Sequence, residues 1–226
     1  MEETHSIRVI ARIRSDFPEK FGIPRQCGLV PELRARIVFE PPYRSPEALR
    51  GIEGFSHLWL IWQFSQSADR PWSPTVRPPR LGGNERVGVF ASRSPFRPNP
   101  LGLSCVALEG VSRDPALGPV LTVSGADLLD GTPIYDVKPY LPYADAHPDA
   151  LGGFAPAPAA TVTVDFPPAL LERVPPESRE ALLGVLAQDP RPRYQNDPER
   201  LYGMAFAGVN VRFRVADGVL TVVSLD

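Results

Sequence analysis

The chain carries 28 prolines in 226 residues, spread along its length instead of massed in one tract. Proline lacks an amide donor and fixes φ, so it interrupts helix interiors and central strands alike. Long helices and parallel βαβ units are disfavoured, and short strands joined by rigid loops are expected. The extreme case is RSPFRPNPLGLS, Arg93 to Ser104, with three prolines and two arginines directly after RVGVFAS, a run that reads as a buried strand. The question is what chemistry needs so stiff a backbone there.

Strand signals recur at short intervals. SIRVIARI, RARIVFE, HLWLIWQF, RVGVFAS, LSCVALEGV and PVLTVSGADLL each give apolar alternation or a continuous apolar run bounded by turn residues. SPEALRGIEGF reads as a helix, with Ser45 at the N-cap, Pro46 at the first helical position, and Ala48, Leu49 and Ile52 at helical spacing. Six or more short strands with little helix between them predict a mainly β fold whose antiparallel sheet closes or nearly closes into a barrel. Near residue 144 the composition shifts to ADAHPDALGGFAPAPAA, a Pro/Ala/Gly linker. It divides the chain into a barrel domain, 1–145, and a small α+β domain, 146–226. In the latter PESREALLGVLAQ has helical spacing, and NVRFRVADGVLTVVSLD is a hairpin turning at Asp217-Gly218.

Charge and cysteine usage narrow the function classes. The net charge is only −2, but six arginines and one acid lie between Arg70 and Arg97, together with Trp72 and Phe96. Such a stripe suits an RNA footprint and equally a solvated face. Cys27 and Cys105 are the only cysteines, too few for a disulfide framework and without metal-ligand spacing. The first residues lack a signal peptide's apolar core and no run has the length of a membrane span, so a cytoplasmic protein is expected. Neither a dinucleotide fingerprint nor a P-loop is present, because the glycines of RLGGNERVG precede a strand instead of a helix. His5, His57 and His147 have no metal-ligand pairing, and no nucleophile elbow supports serine hydrolase chemistry.

Three proline-braced polar turns remain. GIPRQCGLV holds Arg25 and Gln26 after Pro24, ASRSPFRPNPLGLS holds Arg93 and Arg97, and ADLLDGTPIYDVKPYLP gathers Asp127, Asp130, Asp136 and Lys138. Together on an apolar barrel they describe a preorganised binding cleft.

With KFGIPRQCGLV, GIEGFSHLWLIWQF, PTVRPPRLGGNERVGVFASRSPFRPNPLGLS, DGTPIYDVKPYLPYAD and LAQDPRPRY, the chain resembles the TsaA-like family, whose bacterial members include tRNA methyltransferases. The segments span both domains. The resemblance implies a single-sheeted antiparallel β-barrel, a homodimer, and S-adenosylmethionine as cofactor. It further implies N6-methylation of N6-threonylcarbamoyladenosine beside the tRNA anticodon, with the anticodon loop as partner and neither membrane nor metal involved. Carried over by position, cofactor contacts fall on Pro24, Arg25 and Gln26, on Ser65 and Gln66, on Arg93, on Leu103, and on Asp127, Leu128, Leu129 and Asp130. Close relatives commonly have His where this chain has Ser65.

Under that resemblance a carboxylate such as Asp127 or Asp130 accepts from the cofactor's diol or ammonium, an arginine forks onto its carboxylate, and Leu103 covers the adenine. Phe96 and Arg97 project towards the acceptor, and DPRPRY either offers Arg191, Arg193 and Tyr194 to RNA or is a turn in which Pro190 and Pro192 end the preceding helix. A base should help remove the target N6 proton. Asp130 and Asp136 are the candidates, each equally suited to a structural role, so the catalytic residue stays open. Because every cofactor contact falls in the barrel, truncation near Ala144 is expected to spare cofactor binding. The alternatives are a methyltransferase for another RNA site or a small molecule, and a non-catalytic RNA-binding module.

Overall fold

The computed structural model describes residues 3–192, 195 and 197–226. In chain order the strands are β1 (Ala11–Arg14), β2 (Arg34–Phe39), β3 (His57–Gln63), β4 (Thr75–Val76), β5 (Val87–Gly88), β6 (Leu101–Asp114), β7 (Gly118–Ser124), β8 (Pro133–Pro139), β9 (Thr163–Asp165), β10 (Tyr202–Phe206), β11 (Val209–Ala216) and β12 (Val219–Leu225). The helices are α1 (Pro142–Asp145), α2 (Pro168–Leu171) and α3 (Arg179–Ala187). The protein is mainly β, with a six-stranded antiparallel sheet and a small C-terminal domain.

The six strands run in the order β1-β2-β7-β6-β3-β8, and β1 pairs with β8 as well as β2, so the ladder returns to its start. That last seam is two residue pairs long, Ala11 with Ile134 and Arg12 with Pro133. Strict alternation drives the burial: along β3, Leu58, Leu60 and Trp62 point inward while Trp59 and Ile61 are half-buried. With Ile13, Ile37, Val106, Leu121, Val123 and Ile134 they form one core. Each fully buried aliphatic side chain contributes roughly 1.5–3 kcal/mol relative to exposure.

The second core belongs to the sheet β10-β11-β12-β9 and to α3, which packs Ala181, Leu182, Val185 and Leu186 inward. Its hairpin turns are Ala207-Gly208 and Asp217-Gly218, all four residues at positive φ as a right-handed strand twist requires. Phe17, Val30 and Leu33 join this core although they lie between β1 and β2. The fit is close: a Cβ on Gly184 of α3 would come within 2.7 Å of Val30 Cγ1, and Gly22, at φ 95°, sits against Met204 of β10.

Several expectations are corrected. RVGVFAS is no buried strand: only Val87–Gly88 is extended, a 3-10 turn follows at Val89–Ala91, and Phe90 is 74% exposed. Its single buried side chain, Val89, cannot hold a strand inside a sheet. SPEALRGIEGF is two 3-10 turns, Pro46–Leu49 and Ile52–Gly54, since Ser45 makes no cap bond and Gly51 turns the chain at φ 87°. PIYDVKP, read from its prolines as a turn, is β8, the strand that brings β3 back to β1.

Candidate functional site

One open cleft of about 2240 Å³ lies where the two cores meet. Small-molecule sites commonly enclose roughly 300–1,000 Å³, so it has room for a cofactor and part of a larger substrate. Its walls are the loop at residues 22–26, the turn after β3, the insertion between β3 and β6, the segment after β7, and residues 152–160 and 188–192 with 195.

The three proline-braced turns converge only in part. Arg93 donates from Nη1 to Gln26 Oε1, while Gln26 Nε2 donates to the Arg25 carbonyl. Arg25 Nη2 in turn reaches the Arg191 carbonyl at 3.4 Å. Pro24 is buried beneath this pair, and its fixed φ sets the exit direction of Arg25 and Gln26. Ser65 and Gln66 stand exposed on the 3-10 turn that ends β3. Leu103 is 53% exposed and faces the cleft from β6.

In the segment after β7 burial alternates from Ala126 to Leu129. Asp127 and Leu129 line the cleft. Leu128 does not: its side chain is 1% exposed inside the sheet's core, and its carbonyl accepts from Ser15 Oγ. Asp130 turns away as well, accepting from the Ser15 amide and pairing with Arg14 at 3.5 Å. Asp136, the other base candidate, lies on β8, where it pairs with Lys138 at 2.9 Å. Among the described residues the carboxylates lining the cleft are Asp127 and Asp189.

Asp127 is the end of a buried chain. Trp62 Nε1 donates to Ser104 Oγ at 3.0 Å, and Ser104 Oγ donates to Asp127 Oδ1 at 2.7 Å. Burial pushes the Asp127 pKa above its ordinary value, against the opposing pull of Ser104 and of nearby Arg93. Beside it, the Cys27 thiol accepts from the Cys105 amide at 3.2 Å, anchoring the 22–28 loop on β6. Burial and the Asp127 charge raise the Cys27 pKa, and burial with the Cys27 and Asp145 charges raises Cys105 to about 11. Both side chains are thiols at neutral pH.

The insertion holds itself rigid by local means. Ser92 Oγ bonds the Val89 carbonyl and receives the Ser94 amide, and Ser94 Oγ receives the Phe96 amide. Arg97 folds back to donate to the Ser92 carbonyl at 2.9 Å and stacks 6.0 Å from the Phe90 ring. Arg97 therefore braces the loop it was expected to leave, and the aromatic it presents is Phe90. Phe96 lines the cleft under Arg70, 5.9 Å from its centroid.

On the far wall Arg191 was a candidate for phosphate or base contacts. Instead its guanidinium is bidentate to Asp189, whose φ of 50° after α3 brings the carboxylate beneath it. With only 15% of its side chain exposed, it shapes the wall through its backbone. Arg193 and Tyr194 lie outside the described residues. The Pro/Ala linker is also part of the wall: Arg80 Nη1 donates to the Ala157 carbonyl, and Phe154 faces the cleft. Sequence reasoning missed Trp62, Ser104, Cys27 and Phe90. The Ser-x-Ser spacing before Pro95 was the available sign of the stapled loop.

This donor set fits a sulfonium nucleoside. Arg93 can take a carboxylate and Leu103 an adenine face, with the Asp127 carboxylate on the same cleft.

Comparison with known proteins follows the same division. The model of the tRNA-methyltransferase O N-terminal domain matches residues 12–146, and that of the TrmO C-terminal domain matches residues 159–226. The tRNA (adenine(37)-N6)-methyltransferase of Escherichia coli K12 is 45% identical over 96% of both chains. A protein of the same description from Eikenella corrodens is 49% identical over 73% of this chain and 93% of its own. The crystal structure of TrmO from Pseudomonas aeruginosa superposes with a TM-score of 0.82 at 37% identity, covering 99% of each chain.

Proposed function

The chain belongs to the tRNA-methyltransferase O family, and from that premise we propose that it moves a methyl group from S-adenosylmethionine to N6 of adenosine 37 in tRNA. The finer substrate we assign is N6-threonylcarbamoyladenosine, and the working form is a cytoplasmic homodimer of single-sheeted β-barrels. Residues 1–145 hold the cofactor in this reading, and 146–226 contact the anticodon loop. The observation that carries it is the meeting of Gln26, Arg93, Leu103 and Asp127, from four separate stretches of chain, on one cleft whose opposite wall is the 188–192 segment.

The bound cofactor would supply an already activated methyl, so the protein's work is placement and exclusion of water. Arg93, held by Gln26, is oriented for the cofactor carboxylate. Leu103 covers the adenine, and Ser65 offers a hydroxyl where relatives commonly have an imidazole. Phe90 and Phe96 give the target base apolar faces on which to stack. Residues Leu128, Asp130, Arg97 and Arg191 act in this reading through the loops they fix.

The test is incubation with methyl-labelled S-adenosylmethionine and either cellular tRNA or unmodified transcripts, followed by nucleoside mass spectrometry. Label should appear on the hypermodified adenosine of cellular tRNA and be absent from transcripts. Equal labelling of both overturns the assigned substrate.

A further inference from the structure

We propose that Asp127 is the catalytic proton acceptor of methyl transfer, and that Trp62 and Ser104 are positioning residues that fix its carboxylate at the cleft. The proposal rests on the tRNA-methylation reading above.

The arrangement starts in the sheet. Trp62 of β3 stands opposite Gly102 of β6. A Cβ on Gly102 would lie 2.3–2.6 Å from three indole atoms, so the indole fills the space this glycine leaves. Phe64 closes the seat edge-on, with centroids 4.4 Å apart. An indole has one donor and no acceptor. Here it is spent on Ser104 Oγ, two residues along β6 and 0% exposed. A serine hydroxyl that accepts from the indole has its own hydrogen directed elsewhere, and the 2.7 Å contact gives it to Asp127 Oδ1. Two fully committed polar groups thus set the carboxylate's rotation. Such a chain is expensive to bury unless every member is satisfied, and packing alone at these positions would be served by apolar residues.

Other groups around the carboxylate are compatible with proton uptake. Arg93, from the insertion, is the facing cation, and Cys27, from the 22–28 loop, is a neutral thiol. Burial raises the proton affinity of Asp127, the direction that makes a carboxylate a stronger base. Asp189, the second carboxylate of the cleft, is already committed to Arg191.

The step balances without another reactant. The lone pair of the target N6 forms the bond to the sulfonium methyl carbon. The carbon–sulfur bond breaks with its electrons on sulfur, and the N6 proton passes to Asp127 Oδ2, since Oδ1 is held by Ser104. Neutral thioether, methylated nitrogen and protonated carboxyl remain.

Four variants, read by kinetics, calorimetry and NMR, test this. Asp127→Asn should lower kcat by about 100-fold or more, while S-adenosylhomocysteine affinity by calorimetry stays within about threefold of wild type. Ser104→Ala and Trp62→Phe should each lower kcat roughly tenfold and move the acid limb of the pH–rate profile, with KM for tRNA unchanged. Asp127→Glu should recover part of the rate lost in Asp127→Asn. In cofactor-free protein the Trp62 indole N–H resonance should titrate in wild type and stop titrating in Asp127→Asn. Loss of S-adenosylhomocysteine binding as large as the loss of rate would make Asp127 a cofactor anchor and overturn the proposal, as would full activity of Asp127→Asn or an indole resonance blind to pH. A wild-type enzyme that methylates no tRNA overturns the substrate reading and the proton acceptor together, whereas normal wild-type methylation with an unimpaired Asp127→Asn overturns the acceptor alone.

Discussion

The closed six-stranded sheet and the insertion at residues 64–100 are both rigid, for opposite reasons. In the sheet Leu58, Leu60, Ile13 and Ile134 are wholly buried, and stiffness comes from close packing. In the insertion only Val89 and Pro78 are buried apolar side chains, while Trp72 is 52% and Phe90 74% exposed. Seven prolines and a series of side-chain-to-backbone bonds take the place of a core. A packed core spends its apolar groups on itself. A loop stiffened by its own backbone keeps aromatic and cationic groups at the surface at low entropic cost, which is what a site for a flat, charged substrate needs. Substitutions in the sheet should therefore register as lost stability, and substitutions in the insertion as lost function.

The largest perturbation is truncation after residue 145. Phe17, Val30 and Leu33 would lose the core they share with α3 and β10–β12, and the 22–28 loop between them would lose its support. This reverses the expectation from sequence that the barrel keeps its cofactor affinity alone. The truncated chain should show at least about a tenfold loss of S-adenosylhomocysteine affinity by calorimetry, the factor equivalent to roughly 1.4 kcal/mol, together with exposed apolar surface detectable by dye binding.

Within the intact chain Leu60→Ala should destabilise by about 2–5 kcal/mol in urea unfolding. Phe90→Ala should change stability by less than about 0.5 kcal/mol yet raise KM for tRNA. If the two stability effects are comparable, the contrast between sheet and insertion fails. Pro95→Ala sharpens it: through the unfolded chain it should lower stability by only about 0.4–1 kcal/mol, while slackening the loop should cut kcat/KM about tenfold.

The smallest effect separates site from scaffold. Because the folded state raises the Asp127 pKa above 3.8, it binds that proton more tightly than the unfolded chain does. The contribution of Asp127 to stability is thus full below the ordinary carboxylate range and is lost as pH rises through the folded pKa. Asp127→Asn should accordingly raise Tm slightly at pH 7, and the gain should shrink on acidification. An Asp127→Asn variant less stable than wild type at pH 7 would show that the charged carboxylate is structural.

Legibility in the sequence followed the same line. Alternation in RARIVF and the nearly continuous apolar run of HLWLIWQ announced β2 and β3, and Asp217-Gly218 announced the last hairpin. Where prolines flank a strand, as at Pro133 and Pro139, the same punctuation that marks loops hid β8. At the site the stiff loop was visible from its prolines, and Arg93 with it. Which of Asp127 to Asp130 face the cleft was not, because that depends on whether the segment is extended. Trp62 and Ser104 were invisible for another reason: within a strand a tryptophan reads as core and a serine as filler, and only the register of β3 against β6 brings them together.

The sharing of Phe17, Val30 and Leu33 with β11 and β12 also bears on the order in which the protein can acquire its structure during synthesis. These three residues emerge from the ribosome well before Leu220, Val222 and Leu225, with which they share a core. Until then the stretch from 17 to 33 has no surface to settle on, and Arg25 and Gln26 with it stay unplaced. The proposed cofactor site is in this sense a late acquisition: a nascent chain stalled before β12 lacks part of the core that places Arg25 and Gln26.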